Sequence, residues 1–240
     1  MRTLQIIVPL AAALLGACGT EDKPPAPGGD LYPLAVGDAW LYEETDGADV
    51  TQNQHEVIDR IERDFAYDDT DALPVFVVED TFPTGESSDT DVAPGGWRLE
   101  YVHDDGTRVA RLRQDVYDDT GALTKTRDYA PGFLRLDRGR IEVGDQWAEE
   151  YTRYSDTLDG SAVTQEVVSY LYEVMAPETA TVPAGTFDCT VIQRTETIGS
   201  SPEIKRYYFA AGVGKVREVT GGKVEELVSY HLAGSPDAGL

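Results

Sequence analysis

Polar and hydrophobic residues alternate along most of this chain with a period of two. In residues 204–209, Ile204, Arg206 and Tyr208 interleave with Lys205, Tyr207 and Phe209, the spacing of a strand whose successive side chains face opposite ways. The same alternation, rich in valine, threonine and tyrosine, predicts further strands over 39–45, 74–82, 97–103, 107–116, 122–129, 146–154, 164–175, 187–198, 214–219 and 223–232. Turn residues such as Asp104-Asp105-Gly106 and Thr220-Gly221-Gly222 separate them, so hairpins should dominate. One stretch is ambiguous, because Val57, Ile58, Ile61 and Phe65 fit a helical stripe as well as a strand.

The pattern also repeats. Val36-Gly37-Asp38-x-Trp40-x-x-Glu43-x-Thr45 recurs as Val143-Gly144-Asp145-x-Trp147-x-x-Glu150-x-Thr152, an offset of 107 residues. Glu56-Val57-Ile58 aligns with Glu166-Val167-Val168 at offset 110, and Arg108-Val109 with Lys215-Val216 at 107. Three blocks in one order mark two tandem β repeats, 31–137 and 138–232. By that count the ambiguous stretch is a strand, since its partner QEVVSYLYEV (165–174) is rich in β-branched and aromatic types. The expected fold is all-β and antiparallel, with about 10–12 strands. With no linker between the repeats, they should share one strongly curved sheet, a half-barrel or open barrel, with a β-sandwich as the alternative.

The amino terminus is of another kind. Residues 1–17 carry no acid, one base at Arg2, and an apolar run from Leu4 to Leu15 broken only by Gln5 and Pro9, the composition of a signal peptide. The run is shorter than the roughly 20 apolar residues a membrane-crossing helix needs. It ends in Leu15-Gly16-Ala17-Cys18, which resembles the lipobox of bacterial lipoproteins. The resemblance implies cleavage before Cys18 and lipid on its sulfur, and several acyl chains at about 0.8 kcal/mol per buried methylene make that attachment effectively permanent. Residues 18–30, with the stretch Pro24-Pro25-Ala26-Pro27, read as a disordered tether, and 233–240 as a disordered tail. Gly19, where an aspartate would retain an enterobacterial lipoprotein in the inner membrane, directs the expectation to the outer membrane.

Charge narrows the partners. The 240 residues carry 20 Lys and Arg against 44 Asp and Glu, a net charge of −24. Losing Arg2 with the leader makes it −25, which argues against nucleic acid and against direct docking on anionic lipid. Membrane association is therefore expected through the lipid on Cys18. Asp68-Asp69-Thr70-Asp71, Asp89-Thr90-Asp91, Asp104-Asp105 and Asp118-Asp119 are oxygen-rich, but none has the spacing of a calcium-binding loop, so no metal site is expected. With Cys18 lipidated, Cys189 is the only thiol left; no disulfide can form, and an isolated cysteine in an alternating stretch reads as a small buried hydrophobe.

Catalytic signatures are missing. There is no nucleophile elbow, no His-Glu-x-x-His pair and no phosphate-binding glycine loop, and His55, His103 and His231 are scattered. Trp40 and Trp147, each following a Gly-Asp turn, read as core anchors in preference to a ligand platform. Val182-Pro183-Ala184-Gly185-Thr186-Phe187-Asp188-Cys189, followed by Tyr207-Tyr208-Phe209-Ala210-Ala211-Gly212-Val213-Gly214-Lys215-Val216, resembles an uncharacterised family of bacterial envelope lipoproteins whose members also carry the Val-Gly-Asp-x-Trp opening. In plan, a lipidated curved sheet is also similar to the periplasmic lipoprotein carriers whose half-barrels hold acyl chains. The expectation is a non-catalytic, lipid-anchored envelope lipoprotein, without cofactor, acting as a binding or assembly module with an envelope protein partner. The alternative is a carrier or receptor for a hydrophobic ligand, whose cavity should be apolar. A glycan-active hydrolase is the third, and would need His103 or His231 clustered with carboxylates.

Overall fold

The structure is a computed structural model and describes residues 29–67, 72–84, 92–197 and 202–233. Cys18, the leader, the tail from 234 and the aspartates 68–71 and 89–91 lie outside the described residues. Among these described residues thirteen strands follow one another: β1 (Ala39–Asp46), β2 (Asp49–Arg63), β3 (Leu73–Thr84), β4 (Trp97–Asp104), β5 (Arg108–Tyr117), β6 (Leu123–Asp137), β7 (Gln146–Asp156), β8 (Thr164–Val174), β9 (Glu178–Val182), β10 (Gly185–Glu196), β11 (Ile204–Ala210), β12 (Gly214–Thr220) and β13 (Lys223–His231). Every pairing is antiparallel, and no helix occurs among the described residues.

The fold is the all-β, antiparallel, strongly curved sheet that the alternation predicts, and its curvature carries it to closure. Twelve strands run in the order β11-β12-β13-β1-β2-β3-β4-β5-β6-β7-β8-β10, and β10 pairs back to β11 from Cys189↔Ala210 to Thr195↔Ile204. A barrel closed in this way leaves no edge strand in the ring. The thirteenth strand, β9, pairs with the lower half of β10, beside the stretch where β8 pairs with the upper half. Val182 pairs with Gly185 across the Pro183-Ala184 turn, and Gly185 takes a φ of +142°, the backbone freedom expected of glycine there.

The ambiguous segment is strand, and a bulge explains its helical look. Val57 pairs with Val78 but Asp59 with Val77, so Ile58 is the extra residue and the faces change phase. Val57 therefore packs inside the barrel, whereas Ile61 packs with Phe65, Val75, Val77, Tyr101 and Leu112 in a small cluster on the outer wall. Strand β6 runs further than the expected 122–129. Its Ala130-Pro131-Gly132 stretch reads as a break, yet the strand resumes against β5 at Arg111↔Phe133. Pro131 is tolerated because β6 pairs with β7 only from Thr126 to Ala130, so no ladder bond to β7 is asked of it.

Two six-strand runs, β1–β6 and β7, β8, β10–β13, form the ring. Each opens with the same turn. The Gly37 N–H donates to Val57 O (2.8 Å), Asp38 N–H to Ala35 O and Val57 N–H to Asp38 O; Gly144, Asp145 and Val174 repeat these bonds with Val174 O, Glu142 O and Asp145 O. Gly37 and Gly144 have φ of +97° and +94°. These bonds match Val57 with Val174, not with Val167. The register agrees, because Ala39 faces Glu56 as Gln146 faces Glu173. The alignment of 56–58 with 166–168 is thus displaced by seven residues; both are strand segments of similar composition, which is why the sequence comparison accepted it.

Strand direction defines two ends. The amino-terminal ends of β1, β7 and β12 mark a floor, and the turns after β1, β5, β7 and β12 a mouth. The floor is filled by Leu31, Trp40, Val213, Trp147 and Val182 of the main core. Residues 29–38 seal it: Gly212 N–H donates to Asp30 O (2.8 Å), and Arg138 bonds the Asp30 carboxylate (2.9 Å), Tyr32 O (3.0 Å) and Asp104 (2.8 Å). The Asp38 carboxylate accepts from Ala35 N (2.8 Å) and Ala233 N (2.7 Å), tying both ends of the described chain together.

Candidate functional site

Above this floor the barrel is hollow. A chamber of about 610 Å³ opens toward the mouth, within the roughly 300–1,000 Å³ range of ligand pockets. Among the described residues its wall includes nine bases (Arg98, Arg111, Arg127, Arg135, Arg153, Arg194, Lys205, Lys215 and Lys223) and six acids (Glu44, Glu100, Glu196, Glu203, Glu218 and Glu225). Among the described residues, nine bases thus face a space that six acids share, in a chain that carries 20 bases against 44 acids. The interior is cationic while the protein as a whole is strongly anionic.

Strand alternation builds this wall. On β11, Phe209 is at the floor, Tyr207 mid-barrel and Lys205 at the mouth; on β13, Leu227, Glu225 and Lys223 follow the same order; on β1, Trp40, Tyr42 and Glu44. Each of these three stripes grades from apolar to charged. At the floor end a small annex of about 80 Å³, lined by Tyr32, Leu34, Trp40, Leu134 and Phe209, shares Arg135, Arg194, Tyr207 and Lys215 with the chamber.

Most of the wall charges are paired. Glu100 accepts from Arg111 and from Arg135 (2.7 Å); burial opposes its ionisation, but the two guanidiniums outweigh that and hold its carboxyl well below the usual range. Lys215 bonds Glu225 and Glu218 (3.1 Å) and lies 4.8 Å from the centre of the Tyr42 ring. Burial disfavours its charge, but Glu225 and Glu218 raise its pKa well above that of a free lysine. Arg194 is different. It is 6% exposed, has no carboxylate within salt-bridge distance among the described residues, and is surrounded by the rings of Tyr170 (4.4 Å), Phe133 (5.0 Å) and Tyr207 (5.3 Å), with the Tyr172 hydroxyl as a neutral partner.

His55 and Asp80 sit on the β1–β4 side of the barrel. The His55 Nε2 lies 3.5 Å from Asp80 Oδ1, the ring packs edge-on against Tyr42 (5.3 Å), and Arg98 bonds Asp80 Oδ2. Burial, helped by Lys215, lowers His55 to about 4; burial, opposed by Arg98, raises Asp80 to about 6. The stability contribution of neutral His55 is complete above its unfolded pKa of ~6.5 and is lost as pH falls through about 4. That of Asp80 has the opposite sign, being complete below ~3.8 and lost as pH rises through about 6. Between pH 6 and 4.5 the two offset one another. The His55→Leu variant is therefore expected to gain melting temperature relative to wild type on acidification across this window, and Asp80→Asn to lose it. Parallel Tm profiles for all three proteins would show that this pair does not titrate as described.

The other sequence candidates lie elsewhere. His103 Nδ1 contacts Pro74 O (2.8 Å) and His231 is exposed near the floor, so the described structure does not bring the three histidines together. Asp104, Asp105 and Asp118 close turns, accepting from Gly106, Thr107, Arg108, Thr120 and Ala122; among the described residues no group of three potential ligands is placed to hold a metal. Cys189 is fully buried in the main core, and burial pushes its thiol up to about 11. Trp40 and Trp147 are both core residues. The Trp40 Nε1–H donates to Val213 O (2.7 Å), and Trp147 stacks on Tyr172 with centroids 5.2 Å apart. Sequence reasoning missed the charged wall itself.

These features define a closed antiparallel β-barrel with a polar, cation-rich interior. Residues 159–232 match the family model described as DUF3108-like, which spans β8 to β13. No curated protein matches the chain. Two solved structures are similar: a protein described as exported, with a YmcC-like fold, from Bacteroides fragilis (13% identity, TM-score 0.47, 85% of this chain and 100% of that one), and one described as a lipoprotein from Parabacteroides distasonis (14% identity, TM-score 0.42, 85% and 99%).

Proposed function

We propose that the protein is a non-catalytic, lipid-anchored binding module of the cell envelope whose barrel receives an anionic ligand through its mouth. The observation that carries this reading is the cationic chamber inside an acidic protein. A low-dielectric wall focuses the field of its bases on the enclosed space, while the acidic exterior repels anions everywhere else. The lipid on Cys18, with the tether, anchors the module to the outer membrane. Because residues 29–38 form the floor, the tether leaves from the side opposite the mouth, which then faces away from the bilayer. The two six-strand runs with matching opening turns are copies of one ancestral half, joined into one chamber that neither half encloses alone.

The test uses the full chain purified from its host membranes in non-ionic detergent. Intact mass should show cleavage before Cys18 and acylation, and Cys18→Ala should move the protein from the membrane to the soluble fraction. Organic extraction and thermal-shift titration should yield or select anionic compounds over neutral analogues, with affinity falling as salt rises. A stoichiometric uncharged lipid in the extract would instead support the hydrophobic-ligand carrier, whose supporting observation is the apolar annex beside Trp40 and Phe209. At about 80 Å³ that annex is well below the size of an ordinary ligand pocket. A silent titration across all anions would overturn the proposal.

A further inference from the structure

Resting on the chamber as an anion site, we propose that it contains a phosphate subsite beside Phe133, formed by the guanidinium groups of Arg194, Arg111 and Arg135. All three guanidinium carbons lie 5.0 Å from the centre of the Phe133 ring, so no two of them are separated by more than twice that distance. Among the described residues Arg111 and Arg135 share one carboxylate, Glu100, and Arg194 has none within salt-bridge distance. Counting salt-bridged partners among the described residues, three cations against one carboxylate leave a surplus of two positive charges around a single ring; Glu218 acts on Arg194 only from beyond that distance and is itself bonded to Lys215 and Lys205.

A buried charge is ordinarily paired, because desolvation is costly unless something returns the lost solvation. The aromatic faces return part of it for Arg194, but rings cannot satisfy the N–H donors at the edge of a guanidinium plane. Those donors suit an oxyanion, which planar guanidiniums recognise in a bidentate manner. The surplus selects the kind of oxyanion. A phosphate monoester carries roughly −1.5 to −2 at neutral pH and cancels two positive charges, whereas a carboxylate cancels one. The chamber's 610 Å³ leaves room for the group that bears the phosphate, and Tyr170 and Tyr207 also line it. The phosphate belongs either to a soluble ester or to a lipid headgroup, and the same chemistry recognises both.

Calorimetry on the full chain in non-ionic detergent, with inorganic phosphate, glucose 1-phosphate, lysophosphatidic acid, acetate and glucose as separate titrants, tests this. Phosphate-bearing titrants should bind and glucose should not. Preference for glucose 1-phosphate assigns a soluble ester, and preference for lysophosphatidic acid a headgroup. Arg194→Gln should weaken phosphate binding about 10- to 100-fold, the effect of losing a hydrogen-bonding charge, with a smaller loss for Arg194→Lys, which keeps the charge but not the fork. Arg206→Gln, exposed and outside the chamber lining, should change it less than about 3-fold, as an exposed surface charge does. Phosphate soaked into wild-type crystals locates the anion independently of any variant. Density elsewhere in the chamber, or Arg194 variants that bind as wild type, would overturn the subsite and leave the chamber proposal standing. Binding of acetate with no phosphate-bearing compound would reject phosphate alone, and failure of every anion would remove both proposals.

Discussion

Glu100→Gln is expected to destabilise the barrel by about 2–4 kcal/mol, because it removes the carboxylate that serves two partly buried guanidiniums. Arg111 and Arg135 would then stand in the wall without a salt-bridged counter-charge, next to Arg194, which has none among the described residues. Gln114, whose amide donates to Glu100 Oε1 (3.4 Å), would keep only a neutral acceptor there. Urea denaturation of the wild type and variant measures the difference directly. Replacing the whole group by apolar residues of similar size, as Glu100→Leu with Arg111→Met and Arg135→Met, should recover most of the loss, since a buried ion pair is about neutral in stability against a packed apolar equivalent. That outcome would mean that the charges serve the chamber's contents more than its fold. A loss below about 1 kcal/mol for Glu100→Gln would mean that water or flexibility solvates the guanidiniums and that the wall is far less desolvated than its burial implies.

The second large effect is at the floor. Trp40→Ala should cost about 3–5 kcal/mol through cavity formation and lost burial, and about 1 kcal/mol more for Val213 O, which loses its donor. Trp147 occupies the matching position of the second run, but its indole N–H has no partner in the described structure, and its ring is held by stacking on Tyr172. Trp147→Ala should therefore be the milder of the two by about the value of that one bond. Equal losses measured by thermal or urea unfolding would show that ring packing alone sets both.

Strand positions were legible in the sequence because period-two alternation survives wherever one face of the sheet meets the interior. It failed where the backbone departs from a regular strand. The Ile58 bulge moves the odd positions of β2 from the inside to the outside, which produces helix-like spacing from two different surfaces. The Pro131-Gly132 kink truncates β6 on paper but not in space. Strand β9 escaped notice because ETATV is five residues with a weak pattern beside a proline turn. Counting turns gave nearly the right number of strands, but closure depends on how far the curvature goes, and no local pattern encodes that.

The chamber was hidden for a different reason. Its bases lie on the same face as core aromatics, as in Tyr151 and Arg153, Phe133 and Arg135, or Lys205, Tyr207 and Phe209, so each stripe reads as an amphipathic strand end. The signal was present in the grading of the inward stripes of β1, β11 and β13 from apolar to charged. A net charge of −24 concealed it, because a whole-chain sum says nothing about how sign divides between the two faces of a sheet.

The two six-strand runs meet along two seams of unequal length. Strands β13 and β1 are joined over eight residue pairs, β6 and β7 over only five, all of them at the rim. Below Ala130 the second seam is held by side chains, with the Tyr172 hydroxyl on Leu134 O (3.1 Å) and Arg108 on Glu149 (2.7 Å) as its stitches. A guest too bulky for the vessel would spread this seam first, and the ring would gape like a clasp instead of swelling evenly.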